Sequence, residues 1–251
     1  MASKQQTETI EIPPLTREMA TIRIVGTTPM FQHRMAEKAK MTLLVGGRRK
    51  TAAERANIKH KPYEEFRNAL ERAPHGSPTA IGLRAVAVKG AMCSAAVETA
   101  GTSKSSTQRL LYLPAELVPL YGVPQIRLDI VRNSDMKKTP DVRSRPFFPR
   151  WGAELELAYV RPQLTLTSVI TLLANAGMMI GIGDFRQEKG RGAFGCFRVL
   201  GDSAEDNTEW EQLVAEGSHE AQTLAIKDPQ PANEETAELL GLFAAEARKR
   251  S

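Results

Sequence analysis

The chain has 251 residues, enough for one large domain with its own core, and a formal net charge of +5. Its two cysteines, Cys93 and Cys196, lie far apart and exclude a disulfide framework or a C-x-x-C metal site; no window approaches the roughly eighteen apolar residues of a membrane span. From Asp202 to Ser251 twelve acids face four bases, a net of −8, which leaves +13 on residues 1–201 and points to a polyanion-binding body with an acidic appendage.

Residues 1–19 read as a polar, proline-containing arm without an apolar leader stretch, so a soluble, cytoplasmic protein is expected. MATIRIVGTTPMF alternates Ile22 and Ile24 with Thr21 and Arg23 and closes on Gly26, a strand entering a turn. Residues 33–61 carry nine bases against Glu37 and Glu54 and read as a basic insertion, partly helical and either mobile or ordered by a partner. PYEEFRNALER has proline at its start and acids in its first turn, the signature of a short helix. Small apolar residues recur at helical spacing over 83–100, which predicts a helix packed closely on a sheet; GTSKSSTQR after it reads as a polar loop.

LLYLPAELVPLYG and VPQIRLDIVR predict short strands separated by proline and glycine. A second basic insertion, 132–150, has no periodicity of its own. WGAELELAYVRP alternates Ala153, Leu155, Leu157 and Tyr159 with Glu154, Glu156 and Ala158, a strong strand. LTSVITLLANAGMMIGIG is a helix capped by Thr165 or Thr167 and ending near Gly177 to Gly181, and FGCFRVLG is the last core strand. Without the insertions the order is strand, helix, strand, strand, helix, strand. That predicts an α+β fold with a ferredoxin-like, RRM-like core and antiparallel sheet over 20–201. Beyond it, 202–251 forms an acidic helical tail whose EWEQLVAEG and EETAELLGLFAAEARKR helices are joined by KDPQPAN.

Between the last helix and strand lies GIGDFRQEKGRGAFG. Gly190, Gly192 and Gly195 fit G-x-G-x-x-G, but a dinucleotide fingerprint follows a strand and opens a helix, the reverse of the order here. The alternative use is that amides freed of Cβ atoms approach phosphates while Arg186, Lys189 and Arg191 close over them. His33, His60, His75 and His219 show no metal-ligand spacing and no catalytic motif appears, so no metal, cofactor or catalytic residue is expected. His33 beside Arg34 is the lone general-base candidate for RNA cleavage.

Phosphate contacts are expected from Arg34, Lys38, Arg48, Arg49, Lys50, Lys89, Arg132, Lys137, Lys138, Arg143 and Arg145, and from Arg186, Lys189, Gly190, Arg191 and Gly192 of the loop. Phe147, Phe148 and Trp151 sit among arginines and are expected to stack on bases, worth ~1–3 kcal/mol each, unless Phe147 and Phe148 open the following strand as core residues.

The helix before GIGDFRQEKGRGAFGCFRV, with VKGAMCSAA upstream, resembles the RAMP superfamily, whose ferredoxin-like core and glycine-rich loop are shared by the guide-RNA-binding backbone subunits of CRISPR effector complexes. TPMFQHRMAEKAK, VKGAMCSAA, FPRWGAELELAYV and IGIGDFRQEKGRGAFGCFRV more closely resemble a set of proteins encoded in early regions of tailed phages and prophages, near recombination and replication genes. The resemblance covers most of residues 20–200. It implies a single-strand binder assembling side by side along the strand as a homo-oligomer or filament, with 132–150 matching the thumb-like insertion and 181–195 the glycine loop. The expected function is non-enzymatic, cooperative binding of single-stranded DNA in phage recombination or replication. A guide-RNA-binding backbone subunit, a RAMP-type endoribonuclease and a plain interaction protein are the alternatives. The acidic tail is either a competitor for the strand-binding groove that recruits a replication or recombination protein, or a docked element, since Leu239, Leu240, Leu242 and Phe243 cluster within it.

Overall fold

The computed structural model describes residues 13–35, 37–46, 60–132, 140–189 and 192–250. In chain order the elements are β1 (Thr16–Gly26), β2 (Met30–Phe31), α1 (Glu37–Val45), α2 (Pro62–Ala69), β3 (Gly82–Arg84), α3 (Ala85–Glu98), α4 (Lys104–Leu110), β4 (Leu111–Tyr112), β5 (Leu117–Tyr121), β6 (Gln125–Arg132), β7 (Pro140–Phe148), β8 (Gly152–Arg161), α5 (Leu166–Met179), β9 (Phe197–Val199), α6 (Ala204–Glu216), α7 (His219–Lys227) and α8 (Glu234–Arg250). This is a mixed α+β fold. Among the described residues no helix is long and apolar enough to cross a membrane.

Six strands form the main sheet in the order β3-β5-β8-β1-β9, with β4 also pairing β8, and a second sheet runs β2-β7-β6. All these pairs are antiparallel. β1 and β8 are paired from Thr16↔Arg161 to Val25↔Gly152. The alternation in β8 does what period-2 patterning requires: Ala153, Leu155 and Leu157 are buried, while Glu154 turns out and meets Arg23 across the ladder at 2.9 Å. Small residues let α3 approach the sheet, with Val88, Ala91, Met92, Ala95 and Ala96 all buried. α5 begins at Thr165, whose hydroxyl accepts from the Ser168 N–H, and Gly177 lets its last turn lie directly on the Phe197 carbonyl of β9.

Four expectations are corrected. The arm does not reach residue 19, because β1 already begins at Thr16; its outer half is solvent-exposed and shows no apolar alternation, so only pairing with β8 defines it. The supposed loop after α3 is helix α4, nucleated by Ser103, whose hydroxyl caps the Ser106 N–H. The second basic insertion is not patternless: β7 pairs β6 from Gln125↔Phe147 to Arg132↔Pro140, and His60 ties it to α2 by contacting Glu65 and Asp141 at 3.0 Å each. The acidic tail is not an appendage. It holds three helices rather than two, and Ile226 and Leu240 belong to the same buried cluster as Ile24, Leu120 and Leu155, while Trp210 and Leu213 cover Val25 and Leu200.

Candidate nucleic-acid interface

The glycine-rich connection from α5 to β9 folds back on the β1–β2 turn and on itself. Its amides are directed inward: Ile182 N–H donates to Gly195 O, Asp184 N–H to Phe31 O, Gly195 N–H to Pro29 O and Cys196 N–H to the Thr28 hydroxyl. Glycine is needed at 192 and 195 because a Cβ there would collide with the carbonyls of Phe185 and Ile182. Gly192 and Gly195 therefore serve chain-on-chain packing, and the amides of Ile182, Asp184, Gly195 and Cys196 are not free for phosphates. Gly192 itself is buried; Gly190 and Arg191 lie outside the described residues.

The loop's foundation is Arg145, only 4% exposed on β7. Its Nη1 donates to Asp184 of the loop at 2.8 Å and its Nη2 to Asp129 of β6 at 2.7 Å. A phosphate cannot reach a guanidinium so enclosed and so paired, which corrects its expected role as a strand contact. The stacking expectation falls for the same reason. Trp151 and Phe148 are fully buried and Phe147 is 8% exposed; the Trp151 indole N–H donates to Thr28 O at 2.8 Å and its ring packs where Gly26 has no side chain. Arg34 is engaged by Glu71 at 3.7 Å, and Arg143 lies half-buried on β7. Arg48, Arg49, Lys50, Lys137 and Lys138 lie outside the described residues, as do the side chains of Lys38 in α1 and Arg132 at the end of β6.

Two expected contacts do converge. Lys89 of α3 and Arg186 of the loop line one groove, of about 750 Å³, together with Lys104 at the start of α4, Ser94, Gln108 and Gly183. None of the described residues lining it is acidic, although the Glu188 carboxylate stands at its edge, bonded to Ser94 and Arg186. Lys89 and Lys104 make no ion pair among the described residues, whereas Arg186 is held by Glu188 at 2.6 Å. Lys189 follows on the adjoining 3-10 turn (Gln187–Lys189) and is exposed. Gly90, inside α3, also lines the groove and has open space where a Cβ would stand. A helix-interior glycine costs about 1 kcal/mol relative to alanine, and no packing among the described residues explains this one. Lys104 escaped sequence reasoning because its helix reads as loop; the signal present was the serine cap one residue before it.

Next to the groove runs a series of rings of which only Phe147 was among the expected residues. Phe185 packs on Phe194 with centroids 5.9 Å apart, Phe194 meets Phe31 edge-on at 4.8 Å, and Phe31 meets Phe147 at 5.1 Å. The Arg127 guanidinium stands 5.2 Å from the Phe147 ring and 5.9 Å from Phe194.

His33 and Asp184 lie within electrostatic reach of each other beside this loop. Desolvation, then the charges of Arg143 and Arg145, hold the His33 pKa below its ordinary 6.5 against the pull of Asp184. Burial pushes the Asp184 carboxyl up, but the Arg145 hydrogen bond and charge, with His33, outweigh it and leave the pKa below 3.8. The signs follow. The unfolded chain takes up a proton at His33 before the folded chain does, so this contribution is lost as pH falls below 6.5. The Asp184 contribution is present above 3.8 and lost only as pH falls below it. Relative to wild type, His33→Gln should therefore gain melting temperature as pH falls from 7 to 5. Melts that keep a constant difference over pH 7 to 5 would contradict this.

Protein-family models yield no match to this chain, and no curated protein is significantly similar to it.

Proposed function

We propose that this chain binds single-stranded nucleic acid, with the strand's phosphates lying in the groove between α3, α4 and the glycine loop. The observation that carries the reading is the convergence of Lys89, Lys104 and Arg186 on a groove with no acidic residue among its described lining, over the bare backbone of Gly90. Basic side chains of this kind neutralise phosphates and release counterions, giving affinity that does not depend on sequence. Gly90 lets a backbone approach α3 closely. The strand order β9-β1-β8-β5, with α3 and α5 as the intervening helices, supports reading the core as ferredoxin-like. With the RAMP-like motifs it favours a cooperative single-strand binder of phage recombination or replication, DNA being the expected strand and guide RNA the alternative.

Lys89→Ala combined with Lys104→Ala should leave the melting temperature unchanged and weaken binding of labelled oligodeoxythymidylate and oligouridylate at low salt. The slope of log affinity against log salt should flatten by about 0.7 for each phosphate that the variant no longer neutralises. Equal affinity and slope for the double variant and wild type would refute the groove as the binding site.

A cleavage reading has one observation in its favour: the uncharged state of His33 is favoured, as a general base requires, and the imidazole lies near Asp184 and Arg143. Intact RNA after prolonged incubation in the same assay removes it; shortening that disappears in His33→Ala supports it.

A further inference from the structure

Phe185 is the one non-glycine residue among those described with a positive φ, +53°. For an aromatic side chain that conformation presses Cβ toward the following carbonyl, and it persists only where the surroundings over-determine it. Here they do. The Asp184 N–H is tied to Phe31 O at 2.9 Å, the Asp184 carboxylate is held by Arg145 and accepts from the Phe185 N–H, and Gly192 makes room for the Phe185 carbonyl. The outcome of this constraint is a large ring kept out of the core: Phe185 is 43% exposed, inclined 31° to Phe194, which anchors it to the buried Phe31. Its neighbours Gly183 and Arg186 both line the basic groove.

We infer that Phe185 is the stacking platform for an unpaired base of the strand whose phosphates occupy the groove, and hence that the ligand is an unpaired polynucleotide rather than a duplex or free phosphate. This assignment rests on reading the groove as the phosphate site. The chemistry is that of single-strand recognition without sequence preference: cations follow the backbone, and a rigid ring offers its face to whichever base lies beside it. A duplex keeps its bases stacked on each other and has none to offer.

The test measures anisotropy of labelled oligodeoxythymidylate, oligouridylate, a duplex of equal length and an abasic deoxyribose-phosphate strand. It uses wild type, Phe185→Ala, Phe185→Trp and the Lys89/Lys104 double alanine variant, with thermal melts for each. Phe185→Ala should weaken binding of the base-bearing single strands by about 5- to 150-fold. It should bind the abasic strand as wild type does. Phe185→Trp should keep base-bearing affinity within about 2-fold, and its indole emission should be quenched when the strand is added. The oligothymidylate and oligouridylate arms decide between DNA and RNA. Base-bearing affinity unchanged in Phe185→Ala, with binding abolished in the lysine variant, overturns the stacking assignment and leaves the groove standing. Binding unchanged in the lysine variant overturns the groove reading as well. Equal weakening of abasic and base-bearing strands in Phe185→Ala also overturns stacking, because the ring would then act only by shaping the loop.

Discussion

Gln222→Ala should destabilise the chain by about 3–5 kcal/mol, and a chain ending at Asp202 should fail to fold as a separate body. Gln222 lies on α7 and is fully buried. Its Oε1 accepts from the N–H groups of Ala80 and Ile81 at 2.9 and 3.0 Å, and its Nε2 donates to the carbonyls of Leu120 and Gly122 at 2.7 and 2.8 Å. One amide thus satisfies four backbone groups where the chain enters β3 and leaves β5. Each buried group left without a partner costs about 1–3 kcal/mol, and water entering the vacated space recovers part of the sum. Gln222→Glu keeps the volume but turns an oxygen toward two carbonyls, so it should be at least as harmful at neutral pH and recover on acidification, as a protonated acid can donate once. Urea unfolding of both variants measures this; a loss under about 1 kcal/mol for alanine would mean that α7 is not anchored. Truncation removes more: Trp210 and Leu213 cover Val25 and Leu200, and Ile226 and Leu240 complete the main core. The expected product is insoluble or molten, not a tighter strand binder.

In the tail two sequence signals compete, and the charge sum is the misleading one. Exposed ion pairs contribute at most about 1 kcal/mol and are screened by salt, whereas apolar area removed from water contributes about 25 cal/mol per Å². The apolar side chains of 202–251 therefore decide its placement, and the charges line the outside of docked helices. The central strands and helices were legible because their side chains obey the periods of 2 and 3.6. β7 was not, since PDVRSRPFF shows charge and proline where a strand usually shows alternation, and the carboxylates that neutralise Arg145 lie 16 and 39 residues away in sequence. The same blindness misplaced the stacking rings: a phenylalanine among arginines looks alike whether the arginines face solvent or carboxylates. Of the groove, Lys89 and Arg186 were legible as charge beside small residues, while Gly90 and Phe185 acquire meaning only from the space around one and the backbone angle of the other.

Arg145→Met should cost about 3–5 kcal/mol of stability and also weaken base-bearing strands, although Arg145 touches no ligand. The guanidinium bridges Asp129 on β6 and Asp184 on the loop through two different nitrogens. Taking ions out of water is expensive, and removing Arg145 leaves Asp184 without its guanidinium partner and Asp129 with Arg127 alone, at 3.1 Å. Lysine should not rescue it, because a single ammonium on a flexible stem lacks the planar fork that reaches both carboxylates. Neutralising both carboxylates in the triple variant Arg145→Met, Asp129→Asn, Asp184→Asn should recover much of the loss; the cost left is that of Arg127, which gives up the Asp129 carboxylate it holds at 3.1 Å. Binding separates the network's two roles. Asp184 carries the backbone that holds Phe185 outward, so the triple variant, stable again but without the ionic tie, should still bind base-bearing strands more weakly than wild type while binding the abasic strand equally. Urea unfolding at pH 7 and anisotropy with the two strands read both outcomes. A single variant with unchanged stability would sink the structural role of Arg145, and a triple variant with full base-dependent affinity would show that the loop holds Phe185 in place without it.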